Sequence, residues 1–165
     1  SAPVLEANFS CRIRGGGEIE QLGEGYGIHI DALNTLTVKG ASDFLRYRHR
    51  IVIENITIRH HGTTSTAAMI GSGIADGSTM IFRGVRFIRE GVGTAPLVII
   101  HTSPSSVVPS TVIFEDCYFN DELITGGVGI QLLKSNAQTV QHKLIVRNTQ
   151  TGVIQVSNSV GGASA

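Results

Sequence analysis

Four stretches of this chain repeat one eight-residue pattern, and this repeat constrains the fold more than any other feature. In the first three copies apolar residues recur at positions 1, 3, 6 and 8, and the fourth copy keeps them at positions 1 and 3 with Thr at 6 and 8. In every copy a charged residue at position 4 precedes Asn, Gly or Asp. The copies cover residues 51–58, 80–87, 112–119 and 144–151, so they start at intervals of 29, 32 and 32 residues. Repeats of this length are typical of solenoids, in which similar coils stack on one another.

The alternation within each copy indicates a strand that turns a corner. Apolar residues keep a period of two on both sides of positions 4 and 5 but change phase there. Asn, Asp and Gly tolerate the left-handed backbone conformation that a sharp corner often needs. The predicted corner positions are Asn55, Gly84, Asp116 and Asn148.

A second apolar run lies in every interval, at residues 67–70, 97–100, 130–133 and 153–156. Each coil therefore combines a bent double strand with a separate strand, which gives it three faces. No run of about 10 to 15 residues shows helical periodicity. The pattern predicts an all-β protein, a single-stranded parallel β-helix (solenoid) of about five coils.

The repeat also divides the chain. Residues 1–27 are predicted to form an N-terminal arm or edge segment, residues 28–157 the parallel β-helix domain, and residues 158–165 a C-terminal tail. No amphipathic helix is found to cover either end of the stack. Exposed strand edges invite pairing with other chains, so another subunit or domain is the expected cover.

The residues at position 2 of the copies form a predicted outward apolar stripe, namely Val52, Ile81, Ile113 and Ile145. Since stacked strands repeat every ~4.8 Å, this stripe is about 15 to 20 Å long. Apolar stripes on protein surfaces usually mark a protein contact, so the four residues are the predicted subunit interface. The alternative is that a loop of the same chain, residues 89–96 or 102–110, covers them.

Position 4 predicts a ladder of alternating charge, formed by Glu54, Arg83, Glu115 and Arg147. Opposite charges on adjacent strands lie within reach of ion pairing. We interpret the ladder as solvated and structural, because it sets the register of the coils and like charges stacked directly would repel.

Candidate catalytic groups are few. Glycoside hydrolysis needs two carboxylates about 5 to 10 Å apart, for which Glu54 with Glu115, or Asp116 with Asp121 and Glu122, are the formal candidates. Aromatic platforms for sugars are limited to Tyr118, Tyr26 and Tyr47, since the chain has no Trp. The six histidines show no metal-ligand spacing and are expected in loops or on the surface, so no metal or cofactor is predicted.

Net charge and hydropathy limit the kinds of partner that this chain is expected to bind. The formal net charge is zero, which argues against nucleic-acid binding, and no apolar run approaches the length of a membrane span. Cys117 is predicted to be a small buried thiol at an inward position, while its pairing with Cys11 stays open.

The three segments IVIENITIRHHG, TMIFRGVRFIREG and TVIFEDCYFND resemble coils of the pectin-lyase-like right-handed parallel β-helix family, which includes pectate lyases and phage tailspikes. The resemblance spans roughly residues 28–157 and implies a right-handed solenoid. Tailspikes of this fold are homotrimers, so it implies a three-fold axis beside the stripe. Lyases of this family hold calcium with clustered Asp residues, and no coil here shows stacked Asp at matching positions.

We therefore expect a non-enzymatic viral structural protein of a bacteriophage, a tailspike-like decoration, capsid-associated or tail component, located in the virion. Its expected partners are two further copies of itself, in a homotrimer, and capsid or tail proteins, with a host glycan as a further candidate. The alternative is a carbohydrate-binding or polysaccharide-degrading module, either a lyase or a hydrolase.

Overall fold

The computed structural model describes residues 5–7, 11–21, 28–31, 50–61, 69–74, 77–102, 109–120, 127–135 and 142–159. Within these ranges the chain forms fifteen β-strands and no helix. The strands are β1 (Leu5–Ala7), β2 (Cys11–Arg14), β3 (Glu18–Gln21), β4 (Ile28–Asp31), β5 (Arg50–Glu54), β6 (Thr57–His60), β7 (Met69–Ile74), β8 (Thr79–Arg83), β9 (Arg86–Arg89), β10 (Val98–Thr102), β11 (Thr111–Glu115), β12 (Tyr118–Asn120), β13 (Val128–Ser135), β14 (Lys143–Arg147) and β15 (Val153–Ser159).

The strands form three sheets. The first sheet has the order β14-β11-β8-β5-β2, the second β12-β9-β6-β3, and the third β1-β4-β7-β10-β13-β15. All the strand pairs are parallel. From β2 to β13 the chain visits the three sheets in turn, and each strand from β2 to β11 pairs with the strand three places later. This confirms the prediction of an all-β, parallel, solenoid-like architecture.

The four sequence copies lie in register. Ile51 pairs with Met80, Met80 with Val112, and Val112 with Leu144. A spacing of 29 to 32 residues therefore returns the chain to the same place in the first sheet, one strand further along the stack.

The corner positions adopt the left-handed conformation that the pattern predicts. The φ angles are 53° at Asn55, 60° at Gly84, 54° at Asp116 and 44° at Asn148. Each corner separates a strand of the first sheet from the next segment of the chain, which for the first three is a strand of the second sheet. The change of phase in the apolar pattern therefore has its cause in one left-handed residue per copy.

The apolar residues at positions 1, 3, 6 and 8 fill the space between the sheets. Two aromatic columns run along the stack. The rings of Phe82 and Phe114 stack with centroids 4.7 Å apart, and those of Phe87 and Phe119 with centroids 4.6 Å apart. The columns meet edge to face, with Phe82 and Phe87 at 5.9 Å. Cys117 is also buried in this core, as predicted.

Part of the N-terminal segment belongs to the stack. β2 pairs with β5, β3 pairs with β6, and β1 pairs with β4, so β1, β2 and β3 each form one outer strand of the three sheets among the described residues. The repeat missed β2 because Arg12 stands where the later copies have Val or Ile. Residues 36–49, which belong to the predicted domain of residues 28–157, lie outside the described ranges.

The expectation that the histidines lie in loops or on the surface is wrong for His60. This residue is fully buried, with 0% of its surface exposed. It stands two residues after the buried Ile58 in β6, and strand alternation places both on the inner side. Its register partner Arg89 is also fully buried. The described part of the chain contains no helix long and apolar enough to span a membrane.

Candidate functional site

The four residues of the predicted stripe lie side by side. Val52 pairs with Ile81, Ile81 with Ile113, and Ile113 with Ile145, on the adjacent strands β5, β8, β11 and β14. Because their neighbours at positions 1 and 3 pack into the core, strand alternation turns these four side chains to the outer face of the first sheet. The stripe ends at β2, where Arg12 is the register partner of Val52.

Burial along the stripe is uneven. Val52 and Ile81 each expose only 8% of their surface within the single chain. Ile113 and Ile145 are half-buried and retain accessible apolar surface. The part of the stripe available to another molecule is therefore its C-terminal half, on β11 and β14.

The charge ladder beside the stripe forms direct ion pairs. Arg83 donates from Nη1 to Glu54 Oε1 and from Nε to Glu115 Oε2, each at 2.8 Å. Arg12 donates from Nη2 to the second oxygen of Glu54 at 2.6 Å. Arg147 is the register partner of Glu115 and is exposed. The structure thus brings Glu54, Arg83 and Glu115 together and adds Arg12, which the sequence pattern did not reveal.

The interpretation of the ladder as solvated is wrong for Glu54, which is buried. Two arginine side chains cover its carboxylate. The hydrogen bond from Arg12 is the main cause that holds the pKa of Glu54 below its ordinary value, and Arg83 acts in the same direction. Burial alone would raise that pKa, but here the guanidinium groups outweigh it.

These contacts bear on the proposed catalytic pairs. A general acid for glycoside hydrolysis needs a raised pKa so that it holds a proton near neutral pH. Glu54 has the opposite shift, and it shares the guanidinium of Arg83 with Glu115. This carboxylate pair is therefore arranged for ion pairing and poorly suited to proton transfer.

The remaining carboxylate candidates divide into two groups. Asp116 accepts a 2.6 Å hydrogen bond at Oδ1 from Nδ2 of Asn148, the corner residue on the next strand of the first sheet. Asp121 and Glu122 lie outside the described residues. Among the residues that are described, no three His, Cys, Asp or Glu side chains are grouped as metal ligands would be.

One open depression lies beside the corner residue Asn148. It has a volume of about 550 Å³ and is lined by Cys117, Tyr118, Asn148, Thr149 and Gln150. Tyr118 is the only candidate sugar platform within the described ranges, and the guanidinium carbon of Arg86 lies 5.6 Å from the centre of its ring. One side of this ring is therefore already occupied by a cation.

A second charge cluster lies on the second sheet, and the repeat gave no indication of it. Arg59 binds Glu18 through Nε at 2.8 Å and also pairs with Glu90. His61 Nε2 lies 2.7 Å from Oε1 of Glu20. The hydrogen bond from Arg59 lowers the pKa of Glu18. These contacts join β3 to β6 and to the residue that follows β9.

No family model, no curated protein and no solved structure matches this chain.

Proposed function

We propose that this chain is a right-handed parallel β-helix of about five coils that acts as a non-enzymatic structural protein of a virus particle and assembles as a homotrimer. The observation that carries the proposal is the stripe of Val52, Ile81, Ile113 and Ile145 on four adjacent strands. Its accessible half, Ile113 and Ile145, is the proposed centre of the contact between subunits.

The state of the carboxylates supports a structural role. Glu54 and Glu115 are bound to the same arginine, which ties three strands of the first sheet together. Opposite charges paired across strands stabilise the pairing of adjacent strands. If a strand paired with the next strand but one, like charges would lie opposite each other. The ladder therefore favours the correct pairing of adjacent strands.

The assignment to a virus particle, as a tailspike-like decoration, capsid-associated or tail component, has different support. It rests on the resemblance of residues 51–62, 79–91 and 111–121 to coils of phage tailspikes. Such a role would make capsid or tail proteins the further partners and a host glycan a candidate ligand.

The trimer is tested by Ile113→Asp. A carboxylate in the centre of an apolar contact is costly to bury, so we expect the variant to sediment as a monomer while the wild type sediments as a trimer. Ile99→Asp is the matched control, because Ile99 is also half-buried on an outer face but belongs to the third sheet. Circular dichroism should show the same strand content for all three proteins. A wild-type monomer, or a trimer that persists in Ile113→Asp, would contradict the proposed interface.

A second candidate is a carbohydrate-binding or polysaccharide-degrading module. The observation that favours it is the open depression, in which Tyr118 lies beside the polar side chains of Asn148 and Gln150. It is tested by incubating the wild type and Tyr118→Ala with capsular and O-antigen polysaccharides. Binding or depolymerisation that is lost in Tyr118→Ala would support this candidate over the structural one.

A further inference from the structure

The strands β1, β2 and β3 form the first rung of the stack, and β2 and β3 bury less apolar surface than β5 and β6 in the next rung. Among the described side chains of β2 and β3, Ile13 and Ile19 pack against the core, and both are only half-buried. The register places Gly17, which has no side chain, beside Ile56. In the next rung the four inward positions of the repeat are all buried, namely Ile51, Ile53, Ile56 and Ile58. Hydrophobic burial therefore contributes less to holding the first rung in place.

Ion pairs connect β2 to the rest of the first sheet. Arg12 donates from Nε and Nη2 to Oε2 of Glu54, at 2.9 and 2.6 Å. The other oxygen of Glu54 accepts from Arg83 of β8, and Arg14 of β2 is the register partner of Glu54. This one carboxylate therefore faces arginines on both neighbouring strands, and two of these arginines belong to the first rung.

Carboxylates of β3 make the corresponding contacts in the second sheet. Glu18 accepts hydrogen bonds from Nε and Nη2 of Arg59 in β6, at 2.8 and 3.2 Å. Oε1 of Glu20 lies 2.7 Å from Nε2 of His61, the residue that follows β6. Arg59 also pairs with Glu90, which follows β9. In both sheets, carboxylates thus form the described polar links between the first rung and the second.

Acid weakens these links because it neutralises the carboxylates and leaves the arginines charged. The hydrogen bond from Arg59 is the main cause that lowers the pKa of Glu18, and the charges of His61 and Arg86 act in the same direction. The pKa of Glu54 is lowered as well. A carboxylate of this kind stabilises the fold above its ordinary pKa of 4.5, and this contribution is lost as pH falls through the folded value.

We propose that the first rung separates from the stack, reversibly and as a unit, when Glu18 and Glu54 take up protons, while the strands from β5 to β12 stay paired. In those strands the links between rungs include buried apolar rows and the two aromatic columns, which carry no titratable group. Release would uncover the edges of β4, β5 and β6 and the side chains of Ile53 and Ile58, which are fully buried in the intact stack. The stack therefore has a pH-sensitive end, and this inference depends on neither the trimer nor the virus particle.

Hydrogen exchange followed by mass spectrometry tests this release on the whole chain. Protection factors correct for the effect of pH on intrinsic exchange, and they are compared for residues 11–21 and 79–89 at about pH 7 and about pH 3.5. We expect the protection of residues 11–21 to fall about 10-fold in acid and that of residues 79–89 to change less than about 3-fold. Salt at about 1 M and neutral pH should produce part of the same fall, because ionic strength weakens exposed ion pairs. Return to neutral pH without added salt should restore the protection.

The double variant Glu18→Gln with Glu54→Gln removes both charges without acid. Its first rung should lose about 10-fold in protection already at neutral pH, and acid should lower that protection little further. Glu115→Gln is the matched control, because Glu115 binds Arg83 from β11, on the far side of β8 from the first rung. This control should keep the acid response of the wild type.

Three results would overturn the proposal. The first is unchanged protection of residues 11–21 in acid. The second is an equal loss of protection in residues 79–89, which would show that the whole stack opens together. The third is an acid response of the double variant as large as that of the wild type. If the double variant does not fold, the comparison of the two segments of the wild type in acid and in salt decides between release of one rung and opening of the whole stack.

Discussion

The side chain of Asn55 occupies the space that a Cβ atom on Gly84 would need. Such a Cβ would lie 2.5 Å from Oδ1 of Asn55, and Gly84 has a φ angle of 60°. Both corner residues are left-handed, so a side chain on Gly84 would require the Asn55 side chain to move. The glycine at this corner leaves room for the side chain of the preceding corner.

Gly84→Ala should therefore destabilise the protein. We expect a loss of about 1 to 3 kcal/mol in the free energy of unfolding, from left-handed strain and displacement of Asn55. Chemical denaturation measures it. Gly16→Ala is the control, because nothing lies within 4 Å of a Cβ at Gly16. The double variant Asn55→Gly with Gly84→Ala should lose less than the sum of the single losses, and strict additivity would contradict this account.

Stacking of Phe82 on Phe114 should be measurable as a coupling energy. Each Phe→Leu variant loses packing, but the double variant should lose about 0.5 to 1.5 kcal/mol less than the sum, because the ring contact can be removed only once. The coupling energy is obtained by chemical denaturation of the wild type, the two single variants and the double variant. Val92→Ala combined with Phe82→Leu is the comparison, since Val92 is largely exposed and should give an additive loss.

The pKa of Glu54 predicts how stability depends on pH. Its value in the folded protein is lowered from the ordinary 4.5, so its stabilising contribution is present above pH 4.5 and is lost as pH falls through the folded pKa. Glu54→Gln should therefore flatten the decline of unfolding free energy below pH 4.5. The flattening is partial, because Glu18 shifts in the same direction. Identical acid profiles for the variant and the wild type would rule out this role of Glu54.

Cys117 should resist modification in the folded protein. Burial is the main cause that raises the pKa of its thiol, and the side chain is enclosed by the core. In a Cys11→Ser background we expect maleimide to label Cys117 slowly under native conditions and rapidly in denaturant. Rapid labelling of the native protein would show that the core opens at this level of the stack.

The repeat predicted the solenoid-like fold because period and corner chemistry are local properties. A left-handed residue favours Asn, Asp or Gly, and most inward positions carry an apolar side chain, so both leave a trace in the repeated sequence. The contacts of Arg12 with Glu54 left no such trace. They join residues 42 positions apart, and Arg12 belongs to a strand whose outward residues are charged.

Burial was the harder property to predict. Val52 and Ile113 occupy the same position of the repeat, yet Val52 is buried and Ile113 remains half-exposed. His60 appeared to be a surface residue because polarity outweighed its place in the alternation. In both cases the outcome depends on what packs against the side chain from elsewhere in the chain, which position in the repeat does not specify.

The return of the chain to the same register every 29 to 32 residues also has a kinetic consequence. The first pairing must close a long loop, whereas each later strand finds its template already formed. Folding should thus be slow to nucleate and quick to propagate, beginning where the aromatic columns hold the central strands. Amide hydrogens would then exchange earliest at the two ends and last beside the phenylalanines.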